Sequence, residues 1–303
     1  MPISTNLLTF LLFIVDIYSR IRMVKTILSS NILYYTTTTI IIMSTQNLIA
    51  RKHYVLVHGA CHGAWSWYKI KPRLESAGHV VTVLDLSASG TNLKKLEDVD
   101  TISEYSEPLL KLMATIPQNE KVILVGHSLG GLSIALAMEQ FPEKVAVGVF
   151  LTAFLPDIEH NASYVMEKYI ESTPAAEWLD TEFCQCGNKT SMFFGPKFLS
   201  HKLYQLSSTE DLELAKTLLR PGSLFMEDLT QQDNFSKQGY GSVQRAFIVC
   251  NEDLGIPLKF QHWMIQNAGI NDVYEIKGAD HMAMICKPQE LCDSLNQIAL
   301  KYA

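Results

Sequence analysis

The segment Lys121-Val122-Ile123-Leu124-Val125-Gly126-His127-Ser128-Leu129-Gly130-Gly131 constrains the fold more than any other stretch of this chain. Its apolar, β-branched front half predicts a buried strand. The run stops at Gly126-His127-Ser128-Leu129-Gly130, and Ser133 to Glu139 continues as a good helix former. A Gly-x-Ser-x-Gly turn between a strand and a helix holds its serine on a sharp, strained bend with the hydroxyl exposed, a nucleophile elbow. Gly126 and Gly130 let the flanking segments approach one another. The plain alternative is a Gly-rich turn with an idle serine, so the case for Ser128 depends on what surrounds it.

From Lys52 onward, strand-like and helix-like segments alternate. Strands are predicted at 53–57, 79–84, 122–127, 145–154, 245–249 and 273–276, each short, apolar and β-branched. Helices are predicted at 67–77 (closed by Gly78), 102–115, after the elbow, at 256–267, and from Pro288 to the end. Continuous apolar strands separated by helices imply an α/β fold, a mostly parallel central sheet covered by helices on both faces. Between about 156 and 240 the pattern lapses into short amphipathic stretches, aromatics and turns such as Gly187-Asn188. That lapse predicts a helical lid inserted between sheet strands. The elbow, sheet and lid together predict the α/β-hydrolase fold over 49–303.

The 303 residues are 48% hydrophobic and 18% charged, which fits one large domain. The net charge of −6, with no run of more than two basic residues, argues against a nucleic-acid partner. Cys184 and Cys186 form a C-x-C without a second pair, so no metal site is predicted. Reduced thiols in a cytoplasmic protein are the expectation for the six cysteines.

Residues 1–48 differ in character. The apolar run Leu7 to Val15 is too short to span a bilayer, and Arg20, Arg22 and Lys25 follow it. The stretch lacks the basic start and cleavage site of a signal peptide and is too apolar in front for a transit peptide. The expectation is that translation begins at Met43, with plastid or secretory targeting as the alternatives. The sequons at Asn161, Asn188 and Asn234 matter only on a secretory route.

A serine hydroxyl is a weak nucleophile and needs a base held by a third group. In this fold the partners follow in the order serine, acid, histidine, at the ends of later strands. His281, in the loop Gly278-Ala279-Asp280-His281 after the strand at 273–276, is the predicted base. Asp253, directly after the strand at 245–249, is the predicted acid, with Glu252 and Asp280 as decoys. Asp280 adjoins His281 in sequence and so reaches its ring poorly. An oxyanion hole needs two N–H donors. Leu129 follows the nucleophile, and Ala60 lies in the Gly-rich loop after the first strand.

With those residues in place, the chain resembles the plant methylesterase family of α/β-hydrolases, a group that also contains alkaloid esterases and hydroxynitrile lyases. The resemblance runs from His53-Tyr54-Val55-Leu56-Val57-His58-Gly59-Ala60 to the C-terminus. It includes the stretches T-P-A-A-E-W-L-D at Thr173, S-M-F-F-G-P-K-F-L at Ser191, R-P-G-S-L-F-M-E-D-L at Arg220 and G-A-D-H-M-A-M at Gly278. The segment Cys186 to Thr190 looks a few residues short beside the family pattern. The resemblance implies a substrate pocket formed by Gly59, Phe154, Tyr169, Trp178, Met192, Leu224 and Met282. The lyases of the group carry Thr where this chain has Gly59, and Lys where it has Met282. A neutral Met282 supplies no cation for a cyanide leaving group, so the resemblance implies an esterase.

The resulting expectation is a serine carboxylesterase acting on small methyl esters of the salicylate, jasmonate or indole-acetate type, without cofactor or metal. An alkaloid methyl ester is the alternative substrate. A hydroxynitrile lyase and a hormone-binding receptor on a hydrolase fold are the rival classes. The sequence leaves open whether the protein forms a homodimer.

Overall fold

In the computed structural model, residues 51–303 are described throughout, together with Asp16, Tyr18, Ser19 and Arg22. The readings of the N-terminal stretch as a targeting signal or an upstream start lie outside the described residues.

Six strands build the central sheet: β1 (His53–Val57), β2 (Val80–Val83), β3 (Val122–His127), β4 (Val145–Leu151), β8 (Arg245–Cys250) and β9 (Val273–Ile276). Their order is β2-β1-β3-β4-β8-β9, and every neighbouring pair is parallel. Strand β3 is buried along its whole length, as a strand covered on both faces must be. The helix Gly130–Gln140 returns from it across the sheet. Chain order reverses between β1 and β3, which makes their carboxyl ends the switch point where such sheets open a crevice.

Three expected helices begin or break differently. The first runs over Ile70–Ser76 after a separate 3₁₀ turn at Ala64–Trp67. The helix expected over 102–115 divides into Ile102–Tyr105 and Glu107–Thr115. Pro108 has no N–H to give the carbonyl of Glu104, and its ring crowds that carbonyl, so the helix restarts. The third, expected from Ile256, starts at Leu258 behind Pro257. Strand β4 stops at Leu151, before the expected Phe154, because Thr152 turns to φ +34°.

The lid is a further correction. It is not wholly helical: β5 (Glu182–Cys186), β6 (Lys189–Phe193) and β7 (Gly222–Ser223) form a three-stranded antiparallel sheet. Cys186 pairs with Lys189, leaving Gly187-Asn188 as a two-residue hairpin turn with Gly187 at φ +61°. A positive φ is cheap for glycine, and two-residue turns of this composition favour hairpins. The helices Tyr164–Ser172 and Thr209–Leu218 complete the lid.

Candidate active site

The end of β3 sets the geometry. Ser128 stands at φ +54°, a left-handed conformation that costs a residue with a Cβ on the order of 1–3 kcal/mol. The turn is held by the Ser128 carbonyl, which accepts from the N–H groups of Gly131 at 3.1 Å and Phe154 at 3.0 Å. A Cβ at Gly126 would lie 2.6 Å from the Gly130 carbonyl oxygen, and one at Gly130 would lie 2.6 Å from that of His58. Both glycines are therefore needed for backbone to meet backbone, which is what exposes Ser128 at the crevice.

His281 lies beyond β9 and Asp253 beyond β8, as expected from their places in the chain. Asp253 Oδ2 accepts from His281 Nδ1 at 2.7 Å and from the Thr152 hydroxyl at 2.5 Å. Its other oxygen accepts from the N–H groups of Gly255 and Ile256 at 2.7 and 2.8 Å. Four donors thus fix a buried carboxylate, and it fixes the imidazole with Nε2 left to exchange a proton. Ser128 and His281 line one cavity. The decoys are elsewhere. Glu252 is exposed, and Asp280 gives its oxygens to the N–H groups of Met282 and Leu206 and to the Ser207 hydroxyl. Asp280 therefore ties the lid to the histidine loop, and burial pushes its carboxyl above the usual range.

The backbone N–H groups of Ala60 and Leu129 have no hydrogen-bond partner among the described residues, and both residues line the cavity beside Ser128. Unpaired donors at such a point suit an oxygen that gains negative charge.

The sequence suggests His58 and His62 only weakly as metal ligands and sets His127 aside as the base, and it did not reveal the hydrogen bonds by which these histidines hold the site. Nδ1 of His58 lies 2.8 Å from the Gly59 carbonyl, which only accepts, so that nitrogen carries the proton. Nε2 then accepts from the Leu86 N–H at 3.1 Å. Clamping the Gly59 carbonyl orients the Gly59–Ala60 peptide, and with it the Ala60 N–H. His62 donates from Nδ1 to the Ala60 carbonyl and accepts from the Tyr204 hydroxyl, both at 2.8 Å. His127 donates from Nε2 to the His281 carbonyl at 2.9 Å. Burial holds all three neutral: it lowers His58, takes His62 down to about 3, and takes His127 well below the usual range. The sequence signal was available, since three of nine histidines sit within five residues of the elbow or in the first loop.

Phe154, Tyr169, Trp178, Met192 and Leu224 all line the cavity, together with Phe194 and Phe198 from the lid. The Trp178 and Phe198 rings stack at 5.8 Å, and the Tyr169 hydroxyl donates to the Gly255 carbonyl at 2.7 Å. Gly59 and Met282, expected on the wall, stand behind it. A Cβ at Gly59 would lie 2.8 Å from the Cβ of Ser128, so this residue leaves room for the elbow itself. Met282 is fully buried. Among the described residues no group of side chains is arranged to hold a metal ion, and no helix is long and apolar enough to cross a membrane.

A parallel sheet with an elbow serine, a later acid and a last-loop histidine defines an α/β-hydrolase, and the profile of the alpha/beta hydrolase fold matches residues 52–288. Salicylic acid-binding protein 2 of Nicotiana tabacum is 60% identical, over 83% of this chain and 98% of that protein. Methylesterase 1 of Arabidopsis thaliana is 54% identical, over 83% and 97%. The crystal structure of polyneuridine aldehyde esterase superposes with a TM-score of 0.81 at 52% identity, over 82% of this chain and 99% of that one. The chain belongs to the plant methylesterase family of α/β-hydrolases and is a carboxylic ester hydrolase.

Proposed function

We propose that the chain hydrolyses small methyl esters to a carboxylic acid and methanol through an acyl-enzyme on Ser128. The observation that carries this reading is the buried Asp253–His281 pair, 2.7 Å apart, beside the strained elbow serine. Ser128 Oγ attacks the ester carbonyl carbon and passes its proton to His281 Nε2. Negative charge develops on the carbonyl oxygen, and the N–H groups of Ala60 and Leu129 receive it. The tetrahedral intermediate then breaks its bond to the methoxy oxygen, which leaves as methanol with the proton from His281. Water next attacks the acyl carbon, gives a proton to the same nitrogen, and releases the acid and Ser128. Asp253 holds the imidazole and stabilises its charged form throughout.

The walls favour a compact, planar acyl group, since aromatic rings crowd the cavity from several sides. Salicylate-type esters fit that description, and the 60% identity to a salicylic acid-binding protein points the same way. An alkaloid methyl ester is the second reading, supported by the 52% identity to polyneuridine aldehyde esterase of Rauvolfia serpentina. Six free cysteines fit a cytoplasmic enzyme. Methanol release from methyl salicylate, methyl jasmonate, methyl indole-acetate and an indole-alkaloid methyl ester ranks these substrates. A kcat/KM highest for the alkaloid ester would replace the first reading with the second.

A further inference from the structure

We propose that the lid turn Tyr204-Gln205-Leu206-Ser207 is a positioning element of catalysis, which clips the oxyanion loop, the acid loop and the histidine loop together. The inference rests on the catalytic reading above and adds residues that act through Ala60, Asp253 and His281.

The turn lies between the helical turn Leu199–Leu203 and the helix Thr209–Leu218. The Ser207 N–H closes it by donating to the Tyr204 carbonyl at 3.0 Å, and the Tyr204 N–H ties it back to the Leu199 carbonyl at 2.9 Å. From this small frame it reaches three loops. The Tyr204 hydroxyl donates to His62 Nε2, and His62 Nδ1 donates to the Ala60 carbonyl, both at 2.8 Å. Gln205 Nε2 donates to the Glu252 carbonyl at 2.6 Å, and that carbonyl belongs to the peptide leading into Asp253. The Leu206 N–H and the Ser207 hydroxyl donate to Asp280 Oδ2 at 2.9 and 3.0 Å. Asp280 Oδ1 accepts from the Met282 N–H at 2.9 Å, so the same carboxylate brackets His281 on both sides.

Each tie ends one residue or none away from a group the reaction uses. The oxyanion loop follows β1 and the acid loop follows β8, and the sheet order puts β3 and β4 between those strands. No ladder bond therefore sets one loop against the other, and the turn spans that gap. Its ties are hard to break. Tyr204, His62 and Asp280 are all buried, and a buried polar group that loses its partner finds no water to replace it. The Tyr204 and His62 rings also stack, 6.0 Å apart and 13° from parallel. The four turn residues stand outside the cavity wall, whereas Phe198 and Leu203, just before them, line it. The turn thus positions the reacting groups without touching the ester, and an acyl group packed on Leu203 bears on it directly.

The test compares wild type with Tyr204→Phe, Ser207→Ala, their double variant and Ser207→Thr. An alkyl fluorophosphonate counts the working sites: Ser128 Oγ bonds to phosphorus, fluoride leaves, and the serine proton passes through His281 to water. The readouts are the rate of that labelling and methyl-ester turnover per labelled serine. Tyr204→Phe and Ser207→Ala should each lower both rates by roughly 5–50-fold, with KM within about twofold of wild type. The double variant should lose little more than the more damaged single one, because one broken tie already frees the turn. Ser207→Thr, which keeps the hydroxyl, should stay within about twofold of wild type. Ser207 is only partly buried, so Ser207→Ala decides the matter even where Tyr204→Phe does not fold. Variants that lose thermal stability but keep wild-type rates per labelled serine overturn the proposal, as do losses that multiply in full in the double variant. Labelling that follows the expected ratios, in a protein that hydrolyses no methyl ester, keeps the clip and removes the methyl-ester reading.

Discussion

The imidazole of His127 donates a hydrogen bond to the backbone carbonyl of His281 at 2.9 Å, and the two rings stand 4.6 Å apart. The residue just before the nucleophile thus holds the loop that carries the base, which couples the two reacting groups. The Nδ1 of His127 is buried with no partner among the described residues, so its role runs through Nε2. Replacing His127 with Ala frees the His281 loop. A displacement near 1 Å costs about 10²-fold in rate, so kcat should fall by roughly 10–10² while KM changes little. An unchanged kcat in a folded His127→Ala protein contradicts this role.

The acid follows from geometry as well. Asp253→Asn presents an amide to His281 Nδ1 and should lower kcat by roughly 10²–10⁴. Glu252→Gln, at an exposed site, should leave the rate within about twofold of wild type. Steady-state rates of the two variants give the comparison, and the reverse ranking moves the acid to Glu252.

Acid sensitivity has a traceable source in His62. Burial lowers its folded pKa to about 3, against an ordinary value of 6.5. Between those values the unfolded chain binds a proton that the folded chain does not, so stability is lost as pH falls from 6.5. The loss for this one group is about 1.4 kcal/mol per pH unit. Denaturant unfolding of wild type and His62→Gln between pH 6.5 and 4.5 measures it. The variant's stability should fall less steeply, by about one proton, and identical slopes would refute the assignment.

Much of this arrangement could be read from the sequence, and the physical reasons differ by element. Strand β3 and its elbow were legible because a buried parallel strand is apolar throughout and a tight turn demands Gly126 and Gly130. Asp253 and His281 were legible because each follows a clear strand in the order the fold requires. Thr152 was not, because its bond to Asp253 joins the ends of β4 and β8, 101 positions apart in sequence. The lid hairpin was missed because its strands are short and polar on one side, with Gly187-Asn188 as the only signal. Pro108 was visible, and its power to divide a helix was overlooked. Gly59 and Met282 were assigned to the pocket from the resemblance, whereas their burial behind it follows from tertiary packing.

Gly59 also bears on reaction class. Its missing Cβ is what lets Ser128 stand where it does, so Gly59→Thr must displace the elbow or the loop. Esterase activity of that variant should fall by at least about tenfold. Wild-type protein should release no measurable cyanide from mandelonitrile, because Met282 is neutral and buried. Faster cyanide release than methanol release from every methyl ester tested would reverse the assignment.

The central claim is that Ser128 is the nucleophile of methyl-ester hydrolysis. Methanol release from the best ester of the panel, compared between wild type and Ser128→Ala, tests it most directly. The account predicts a loss of kcat on the order of 10⁴–10⁶ in the variant, with the fold retained. A Ser128→Ala protein that keeps more than about a tenth of wild-type activity contradicts it.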